Sequence, residues 1–338
     1  MKNLNSCLEK YIKSENVHNI AVRVGIKNKI YCDIYCYDKK KIDDTTLFDM
    51  ASVTKIMVTS TLALIAVDNK ILKIDDYVSK FYSVPEDKNC LKIKNLLTHT
   101  MGIGYKVLDK EGINYNNVQN YILNMPCDVK IGTEVLYSCP GFILLGKILE
   151  KVFDNSLDEL FLKYVAVPLE LTNTSFLPSK DNAFVNSNLL ENERGMVNDY
   201  NCRFLGGVAG NAGVFSNMRD ICKYVEMLNS YGKPLIKRET FEIAVKNYTR
   251  TMQESRGLGF LYVDKKYNQT GDLFTEGSIG HCGHTGQSIF VDLKNGLYVV
   301  ILSDATISTI KNYGCEKYNI VTKMRADIHN AIKEDLHI

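Results

Sequence analysis

The chain has 338 residues, of which 45% are hydrophobic and 24% charged, so it is long enough for one large domain or two closely packed ones and is unlike a disordered chain. Its formal net charge is +2, and no dense cluster of lysines and arginines lies among aromatic residues. The composition therefore excludes any electrostatic argument for a nucleic acid or an anionic membrane as partner, and a neutral or small substrate is expected.

Two further features of the sequence limit where the protein is expected to be located and which cofactors it is expected to use. Residues 1–19 lack a basic start followed by an apolar segment, and no run of eighteen apolar residues occurs, which predicts a cytoplasmic protein. Ten cysteines are scattered without C-x-x-C pairs, which indicates reduced thiols and neither a zinc site nor a disulfide framework. No metal or other cofactor is expected.

The first predicted element is a β-hairpin over Asn19–Tyr37. Apolar and polar residues alternate from Ile20 to Val24 and again from Ile30 to Cys36, with a polar stretch between them.

An apolar helix is predicted next, from Ser52 to about Val67, a segment without glycine or proline. Ser52 opens this helix, and Lys55 follows one turn later on the same face, where unpaired N–H groups and the helix dipole favour negative charge. A buried lysine can lose its proton near neutral pH and then accept the proton of the serine. Ser52 is therefore the candidate nucleophile; the alternative is that it only caps the helix.

The Ser-x-x-Lys spacing alone does not identify the nucleophile. Ser230 with Lys233 and Ser308 with Lys311 show the same spacing. Ser230 lies in a turn-like stretch and Ser308 follows a predicted strand, whereas Ser52 opens a long apolar helix, so context favours Ser52.

Helical patterns dominate the middle of the chain. The first predicted helix lies within the stretch Leu91–Ile103 and ends at Gly102. The others are Val118–Met125, Phe142–Val152 and Leu157–Val165. His99, inside the first of these, is interpreted as a structural hydrogen-bonding residue rather than a catalytic one.

A loop of small residues follows at Phe204–Ser216, and Ser216 is predicted to cap a helix that runs through Leu228. The loop lacks the Lys-Ser/Thr pair of a phosphate-binding loop, so its glycines predict close backbone packing beside a cleft.

Strands are predicted in the last third of the chain, before a final helix over residues 317–333. They are Gly257–Val263, Ser278–Gly286, Ser288–Leu293 and Leu297–Leu302, the last two joined at Asn295–Gly296. This order predicts an α+β fold: one antiparallel sheet of N- and C-terminal strands covered by helices, with a central, mostly helical lobe. The sheet lobe would comprise about 1–48 and 257–338, the helical lobe about 52–256, and the active site would lie between them.

Five short motifs occur in order along the chain. They are Ser52-Val53-Thr54-Lys55, Leu96-Leu97-Thr98-His99-Thr100, Tyr137-Ser138-Cys139, Gly207-Val208-Ala209-Gly210 and Gly283-His284-Thr285-Gly286. Together they resemble the serine beta-lactamase and penicillin-binding protein superfamily, most closely its class C-like branch with cytosolic esterases and D-peptidases, from about residue 19 to the end.

The resemblance implies a beta-lactamase/transpeptidase-like fold and a set of catalytic roles. Ser52 would be acylated, Lys55 would deprotonate it or bond to it, and Tyr137 would share that proton and deliver it to the leaving group. Tyr115-Asn116-Asn117 matches the family's Tyr-x-Asn literally but lacks the following apolar helix, which favours Tyr137.

The resemblance also implies substrate-binding residues. His284-Thr285-Gly286, on a strand, stand where the family has Lys-Thr-Gly, and the backbone N–H groups of Ser52 and Gln287 would form the oxyanion hole. Histidine is a weaker anion clamp than lysine, which argues against strong carboxylate recognition.

Cys139 and Asn211 are further departures from the family pattern at substrate-binding positions. The family usually has Asn or Asp at the first position and often histidine at the second, and a thiol is a weak hydrogen-bond donor. Both argue against efficient turnover of penicillins. Cys282, two residues before His284, is expected to share the face that His284 presents to the cleft. A further hypothesis is that Cys139, near Lys55, has a depressed pKa and is oxidised or metallated together with His284, which would switch the hydrolase off; the alternative is that these cysteines only fill space.

The expected function is that of a serine hydrolase that acts through an acyl-serine intermediate on a small ester, amide or D-amino-acid peptide. One alternative is a weak class C-like beta-lactamase or a DD-peptidase, the latter disfavoured because no export signal is present. Another is a penicillin-binding sensor or scaffold without turnover. No nucleic acid or membrane partner is expected.

Overall fold

The computed structural model describes residues 1–13, 17–27, 29–185, 195–266, 269–305 and 315–338. At its centre lies a six-stranded antiparallel sheet. Its strand order is β2-β1-β9-β8-β7-β6, so the N-terminal hairpin joins the C-terminal strands directly. The strands are β1 (Asn19–Ile26), β2 (Lys29–Tyr37), β6 (Leu261–Tyr262), β7 (Ile279–Cys282), β8 (Ser288–Asp292) and β9 (Leu297–Ser303). The predicted α+β fold, with strands from both ends in one sheet, is confirmed.

The central strands of this sheet are buried because helices cover both faces. All residues of β8 and β9 are buried, as is the interior of β1. On one face, Leu4, Leu8 and Tyr11 of α1 (Lys2–Lys13) pack with residues of α10 (Cys315–Leu336). Helix α1 was not predicted, although these three residues recur at helical spacing.

The opposite face packs against the helical part of the chain. Its helices are α2 (Thr61–Asp68), α3 (Ile93–Leu97), α4 (Val118–Asn124), α5 (Cys139–Phe153), α6 (Leu157–Phe161), α7 (Tyr200–Phe204), α8 (Met218–Asn229) and α9 (Arg238–Ala244). A small sheet in the order β3-β5-β4 lies among them, and its strands are β3 (Phe48–Asp49), β4 (Ser175–Phe176) and β5 (Val214–Ser216). The small sheet was not predicted, and it holds the residues that precede Ser52.

The helix that begins around Ser52 is continuous from Ala51 to Asp68 but changes its winding. A 3₁₀ turn at Ala51–Val53 leads into a π-helical segment, Lys55–Ser60, and then into α2. By length and composition alone this helix could cross a membrane, yet 83% of it is buried inside the protein, as in the core of a globular fold.

Several predicted boundaries are wrong. Helix α3 ends before His99 and Gly102, whose φ angles of 57° and 82° are incompatible with a helix. Ser216 ends β5, and Asn217 caps α8 by accepting the N–H of Asp220 at 2.9 Å. Ser308 and Lys311, and Asn28 in the turn of the first hairpin, lie outside the described residues.

Candidate active site

The turn before the nucleophile is held in an unusual backbone conformation. Ala51 has a φ of 45°, a left-handed value that is rare for a residue with a side chain. The carboxylate of Asp49 accepts the N–H of Ala51 at 2.8 Å and the N–H of Asn198 at 2.6 Å. Burial raises the pKa of Asp49 to about 6, although both N–H groups lower it. These contacts present a half-buried Ser52 at the start of its helix.

Lys55 lies fully buried next to Ser52. Its Nζ donates to Ser52 Oγ at 3.1 Å, to the carbonyl oxygen of Asn211 at 2.9 Å and to Cys139 Sγ at 3.6 Å. An ammonium group has three N–H donors, so these contacts occupy all of them. The same Nζ is 4.9 Å from the centroid of the Tyr137 ring. The structure therefore brings Ser52, Lys55, Tyr137 and Cys139 together.

The ionisation of this cluster differs from the prediction. Burial lowers the pKa of Lys55, but the anionic forms of Cys139 and Tyr137 raise it more, so its pKa lies above the ordinary value. Burial raises the pKa values of Cys139 and Tyr137, which Lys55 offsets only in part. Lys55 is therefore the cation of the resting site. The predicted depressed pKa of Cys139 is wrong, because burial disfavours the thiolate more than Lys55 stabilises it, and the raised pKa of Lys55 contradicts the prediction of a neutral lysine.

Tyr137 is positioned by His99. The backbone carbonyl of His99 accepts the N–H of Leu136 at 2.9 Å, and its Nδ1 accepts the N–H of Ser138 at 2.9 Å. Its ring lies 4.6 Å from that of Tyr137. Burial, with Arg256 and Lys55, holds the pKa of His99 well below its ordinary value, so the ring is neutral. His99 is thus structural, as interpreted from the sequence.

Tyr115, the literal match to Tyr-x-Asn, lies in a different environment. Its hydroxyl donates to Glu150 of α5, and Lys147 lies 3.8 Å from its ring centroid. The structure places Tyr137, and not Tyr115, beside Lys55.

The loop of small residues packs against α5, as predicted. A Cβ on Gly210 would lie 2.1 Å from the carbonyl oxygen of Phe142, so only glycine fits there. Thr59 donates to the Gly210 carbonyl at 2.6 Å, which joins the loop to the nucleophile helix.

Asn211 holds a different role from the predicted one. It is fully buried, and its side chain donates to Asp199 at 2.9 Å while its carbonyl accepts from Lys55. It supports the lysine and does not line the cleft, because its side chain has no surface to offer a substrate.

His284, Thr285 and Gly286 do not lie on a strand. Strand β7 ends at Cys282, and the three residues form the turn that leads to β8. Thr285 is fully buried and donates to the side chain of Gln287 at 2.5 Å. Strand β7 ends at Cys282, so the predicted placement of these three residues on a strand is wrong, whereas contact of His284 with the substrate stays a prediction.

Gln287 is held by its carbonyl and its side chain, and the role of its backbone N–H in the oxyanion hole stays a prediction. Its carbonyl accepts the N–H of Gly283 at 2.8 Å and its buried side chain donates to Ser303 at 2.8 Å. The turn approaches the nucleophile at Gly283 instead, where a Cβ would lie 2.9 Å from the carbonyl oxygen of Met50.

His281, which was not predicted, also lies near Tyr137. Its ring centroid is 6.4 Å from that of Tyr137, and its Nδ1 donates to the Cys282 carbonyl at 2.8 Å. Burial, Arg256 and Lys55 keep the pKa of His281 well below its ordinary value. The sequence holds two adjacent His-x-Gly triplets, and the first one, His281-Cys282-Gly283, provides this side chain. Cys282 packs with the apolar cluster of the terminal helices, so the prediction that it faces the cleft is wrong.

Two arginines at this site were not predicted either. Arg325 of α10 is buried and donates to the carbonyl oxygens of Gly283 and Gly286, which fixes the turn beside the nucleophile. Arg256 is 3% exposed, and its guanidinium carbon lies 5.9 Å from the centroid of the Tyr137 ring. Within the described ranges, no group of three or more His, Cys, Asp or Glu side chains could hold a metal ion.

Comparison with known proteins agrees with this geometry. The family model described as Beta-lactamase matches residues 4–309. A protein of Escherichia coli O157:H7 named "Putative D-alanyl-D-alanine carboxypeptidase" is 30% identical over 78% of this chain and 70% of its own length.

Solved structures share the fold across nearly the whole chain. The hydrolase EstCE1, described as having promiscuous acyltransferase activity, superposes with a TM-score of 0.78 and 20% identity over 98% of this chain and 97% of its own. A class C beta-lactamase from Rhodobacter sphaeroides superposes with a TM-score of 0.71 and 17% identity over 98% and 99%. On the family match and the 30% identical relative, the chain belongs to the beta-lactamase family of serine hydrolases.

Proposed function

We propose that the protein hydrolyses a small ester, amide or D-amino-acid peptide through an acyl-Ser52 intermediate. The observation that carries this proposal is the contact of 3.1 Å between Lys55 Nζ and Ser52 Oγ at the start of a helix, with Tyr137 beside them. Ser52 Oγ would bond to the carbonyl carbon, and the bond to the leaving group would break.

The proton of Ser52 needs a route that does not depend on a neutral lysine. Burial raises the pKa of Tyr137, whereas the positive charge of Lys55 and a hydrogen bond with Ser52 lower it. Tyr137 can therefore accept the serine proton while it passes its own proton to the leaving group, and the Lys55 cation stabilises the negative charge that develops on both oxygens. Water would then attack the acyl group, and Tyr137 would take a proton from the water while it passes its own proton to Ser52 Oγ. The bond between the acyl carbon and Ser52 Oγ would break, which releases the acid and restores Ser52.

The charge on the carbonyl oxygen would be stabilised by backbone N–H groups. Ser52 lies where helix N–H groups are unpaired, and the turn at Gly283 and His284 packs beside Met50. Losing one such donor typically costs ~10²-fold in rate.

The names of similar proteins suggest two substrate types. The relative in E. coli is named for D-alanyl-D-alanine peptides, and EstCE1 is described as a hydrolase with acyltransferase activity. A beta-lactam is expected to acylate Ser52 but to be released slowly, because the buried Cys139 provides no amide for its side chain. A cytoplasmic location remains our prediction.

Intact-protein mass spectrometry after exposure to a fluorophosphonate or a penicillin tests the proposal. Wild type should gain one adduct, Ser52→Ala should gain none, and Ser230→Ala, the matched Ser-x-x-Lys control, should behave as wild type. Equal labelling of wild type and Ser52→Ala, or no labelling of wild type by either reagent, would contradict the proposal. The lifetime of the penicillin adduct distinguishes an enzyme that turns over from a sensor that remains acylated.

A further inference from the structure

We propose that Tyr224 is a positioning residue for Ser52 and Lys55. Its hydroxyl and that of Thr61 fix the π-helical turn of the helix that carries both residues, and the winding of this turn sets where the Lys55 ammonium group lies. The inference rests on the proposed function and adds a residue of α8 that acts through Lys55 without contacting the substrate.

The π-helical segment Lys55–Ser60 needs hydrogen-bond donors from outside its own backbone. In a π-helix each N–H bonds to the carbonyl five residues earlier instead of four, so the change back to an α-helix alters which carbonyls receive an N–H. At the end of the segment the N–H of Thr61 bonds to the carbonyl of Val58. The carbonyl oxygen of Ile56 accepts two hydroxyl groups, from Thr61 at 2.8 Å and from Tyr224 at 2.8 Å. Side chains therefore hold this turn together with its backbone.

Tyr224 is a suitable donor for this carbonyl. It is fully buried, Thr61 is 2% exposed, and their hydroxyl oxygens are 3.1 Å apart. A carbonyl oxygen has two lone pairs and can accept both hydroxyls. Burial raises the pKa of Tyr224, so its hydroxyl keeps the proton that it donates. Because α8 packs on β8 and β9, Tyr224 connects the turn to the central sheet.

The winding of the π-helical segment determines two contacts of the site. Lys55 Nζ donates to the carbonyl of Asn211 at 2.9 Å, and Thr59 Oγ1 donates to the carbonyl of Gly210 at 2.6 Å. The two donors are four residues apart on the helix, whereas the two acceptors are adjacent in the loop. A change to α-helical winding would rotate Lys55 relative to Thr59, so Lys55 would leave its place between Asn211 and Ser52.

Hydrolysis of p-nitrophenyl acetate and the rate of fluorophosphonate labelling of Ser52 test this role. Tyr224→Phe keeps the ring, which packs in the core, and removes only the hydroxyl. It should lower kcat and the labelling rate ~10-fold or more, because a small displacement of a catalytic group is costly. KM should change less than ~3-fold, since Lys55 acts in both acylation and deacylation.

Tyr82→Phe is the matched control. The Tyr82 hydroxyl also donates to a backbone carbonyl, that of Lys147 at 3.0 Å, but away from Lys55 and Ser52. Each variant loses one such hydrogen bond, so both melting temperatures should fall by at most ~4 °C. Tyr82→Phe should keep kcat within ~2-fold of wild type. A wild-type kcat in Tyr224→Phe, or an equal loss of kcat in Tyr82→Phe, would overturn the proposal.

Two variants of Thr61 separate the hydroxyl from packing. Thr61→Val keeps the shape of the side chain but removes the hydroxyl, and it should lower kcat ~3-fold or more. Thr61→Ser keeps the hydroxyl but loses a buried methyl group, so its melting temperature should fall while kcat stays within ~2-fold of wild type. If kcat instead follows the melting temperature in these variants, the hydroxyls only stabilise the core and the proposal is wrong. This pair decides if Tyr224→Phe does not fold.

Failure of the proposed function has its own signature. In that case wild type would hydrolyse no ester and Ser52 would not react with the fluorophosphonate, which would overturn both proposals. An active, labelled wild type with unchanged kcat in Tyr224→Phe and Thr61→Val would overturn the positioning role alone.

Discussion

Asp49 links the nucleophile to two other segments of the chain. Each of its carboxylate oxygens accepts one backbone N–H, from Ala51 and from Asn198. A left-handed residue with a side chain costs about 1–3 kcal/mol and persists only when its surroundings hold it. The Asp49 carboxylate supplies that support, so Asp49 is a positioning residue for Ser52.

Asp49→Asn should lower kcat for a neutral ester by ~10-fold, because one of its two oxygens is replaced by an NH₂ group that faces an N–H donor. The pH profile is the sharper measurement. Burial raises the pKa of Asp49 to about 6, so the carboxylate that accepts both N–H groups is present above pH 6 and is lost as the pH falls through 6. Wild-type kcat/KM should therefore decline below pH 6, and this decline should be absent in Asp49→Asn. The same decline in both proteins would rule out Asp49 as its source.

Residues that lie close together in sequence were predictable, and those that meet only in space were not. Ser52 and Lys55 are one helical turn apart, and their apolar context distinguished them from other Ser-x-x-Lys pairs. His281 and His284 each begin a His-x-Gly triplet, and the sequence does not show that the paired strand includes His281 but ends before His284. Arg256 shows no local pattern, since it approaches Tyr137, more than a hundred residues earlier, only in the folded chain.

At the scale of elements, the packing of α5 against the loop of small residues sets the position of Lys55. Gly210 touches the backbone of α5 near Phe142, and the next residue, Asn211, provides the carbonyl that accepts from Lys55. A shift of this loop would therefore move a hydrogen-bond partner of the Lys55 ammonium group. The glycines predicted close packing correctly, because only the absence of a side chain permits it.

Gly210→Ala should destabilise the protein by about 1–3 kcal/mol, because the new Cβ would lie 2.1 Å from a backbone oxygen that cannot move freely. It should also lower kcat/KM ~10-fold or more, since Asn211 must shift with the loop. Gly104→Ala is the matched control, because its Cβ would meet no atom closer than 3.6 Å. Thermal unfolding and ester hydrolysis of both variants check this, and a Gly210→Ala protein with wild-type activity would refute the coupling.

The elements that the sequence predicted poorly are those whose ends depend on partners. Strand β7 was expected to reach Gly286, but its pairing with β8 stops at Cys282 and Ser288. The small sheet of β3, β5 and β4 has strands of two or three residues, which is too short for an alternating pattern to show.

At the scale of the whole molecule, both ends of the chain contribute to the site. Strand β1 pairs with β9, and α10 packs on α1 across the same face of the sheet. Arg325 of α10 then holds the turn at Gly283, beside the nucleophile. The active site is therefore complete only when the terminal segments have assembled, so conditions that loosen α10 should affect activity as well as stability.

His329, one turn after Arg325, makes this assembly sensitive to acid. It is fully buried beside the rings of Phe274 and Phe290, and its Nδ1 contacts the carbonyl of Arg325 at 2.8 Å. Burial lowers the pKa of His329 to about 4, whereas an unfolded histidine has a pKa near ~6.5. The unfolded state therefore binds more protons between these values, so stability is fully present above about pH 6.5 and is lost as the pH falls toward 4.

The expected size of this effect can be measured. Between pH 7 and pH 5 a single such group removes about 2 kcal/mol of unfolding free energy. Burial also holds the pKa values of His99 and His281 well below the ordinary value, so these residues also lower the unfolding free energy as the pH falls. Asp49 has a raised pKa and therefore has the opposite effect on the unfolding free energy. Urea unfolding measures the unfolding free energy at pH 7 and at pH 5. The difference between these two values should be about 2 kcal/mol smaller in His329→Gln than in wild type. The exposed His337→Gln should keep the wild-type difference, and an unchanged difference in His329→Gln would show that His329 does not titrate on unfolding in this range.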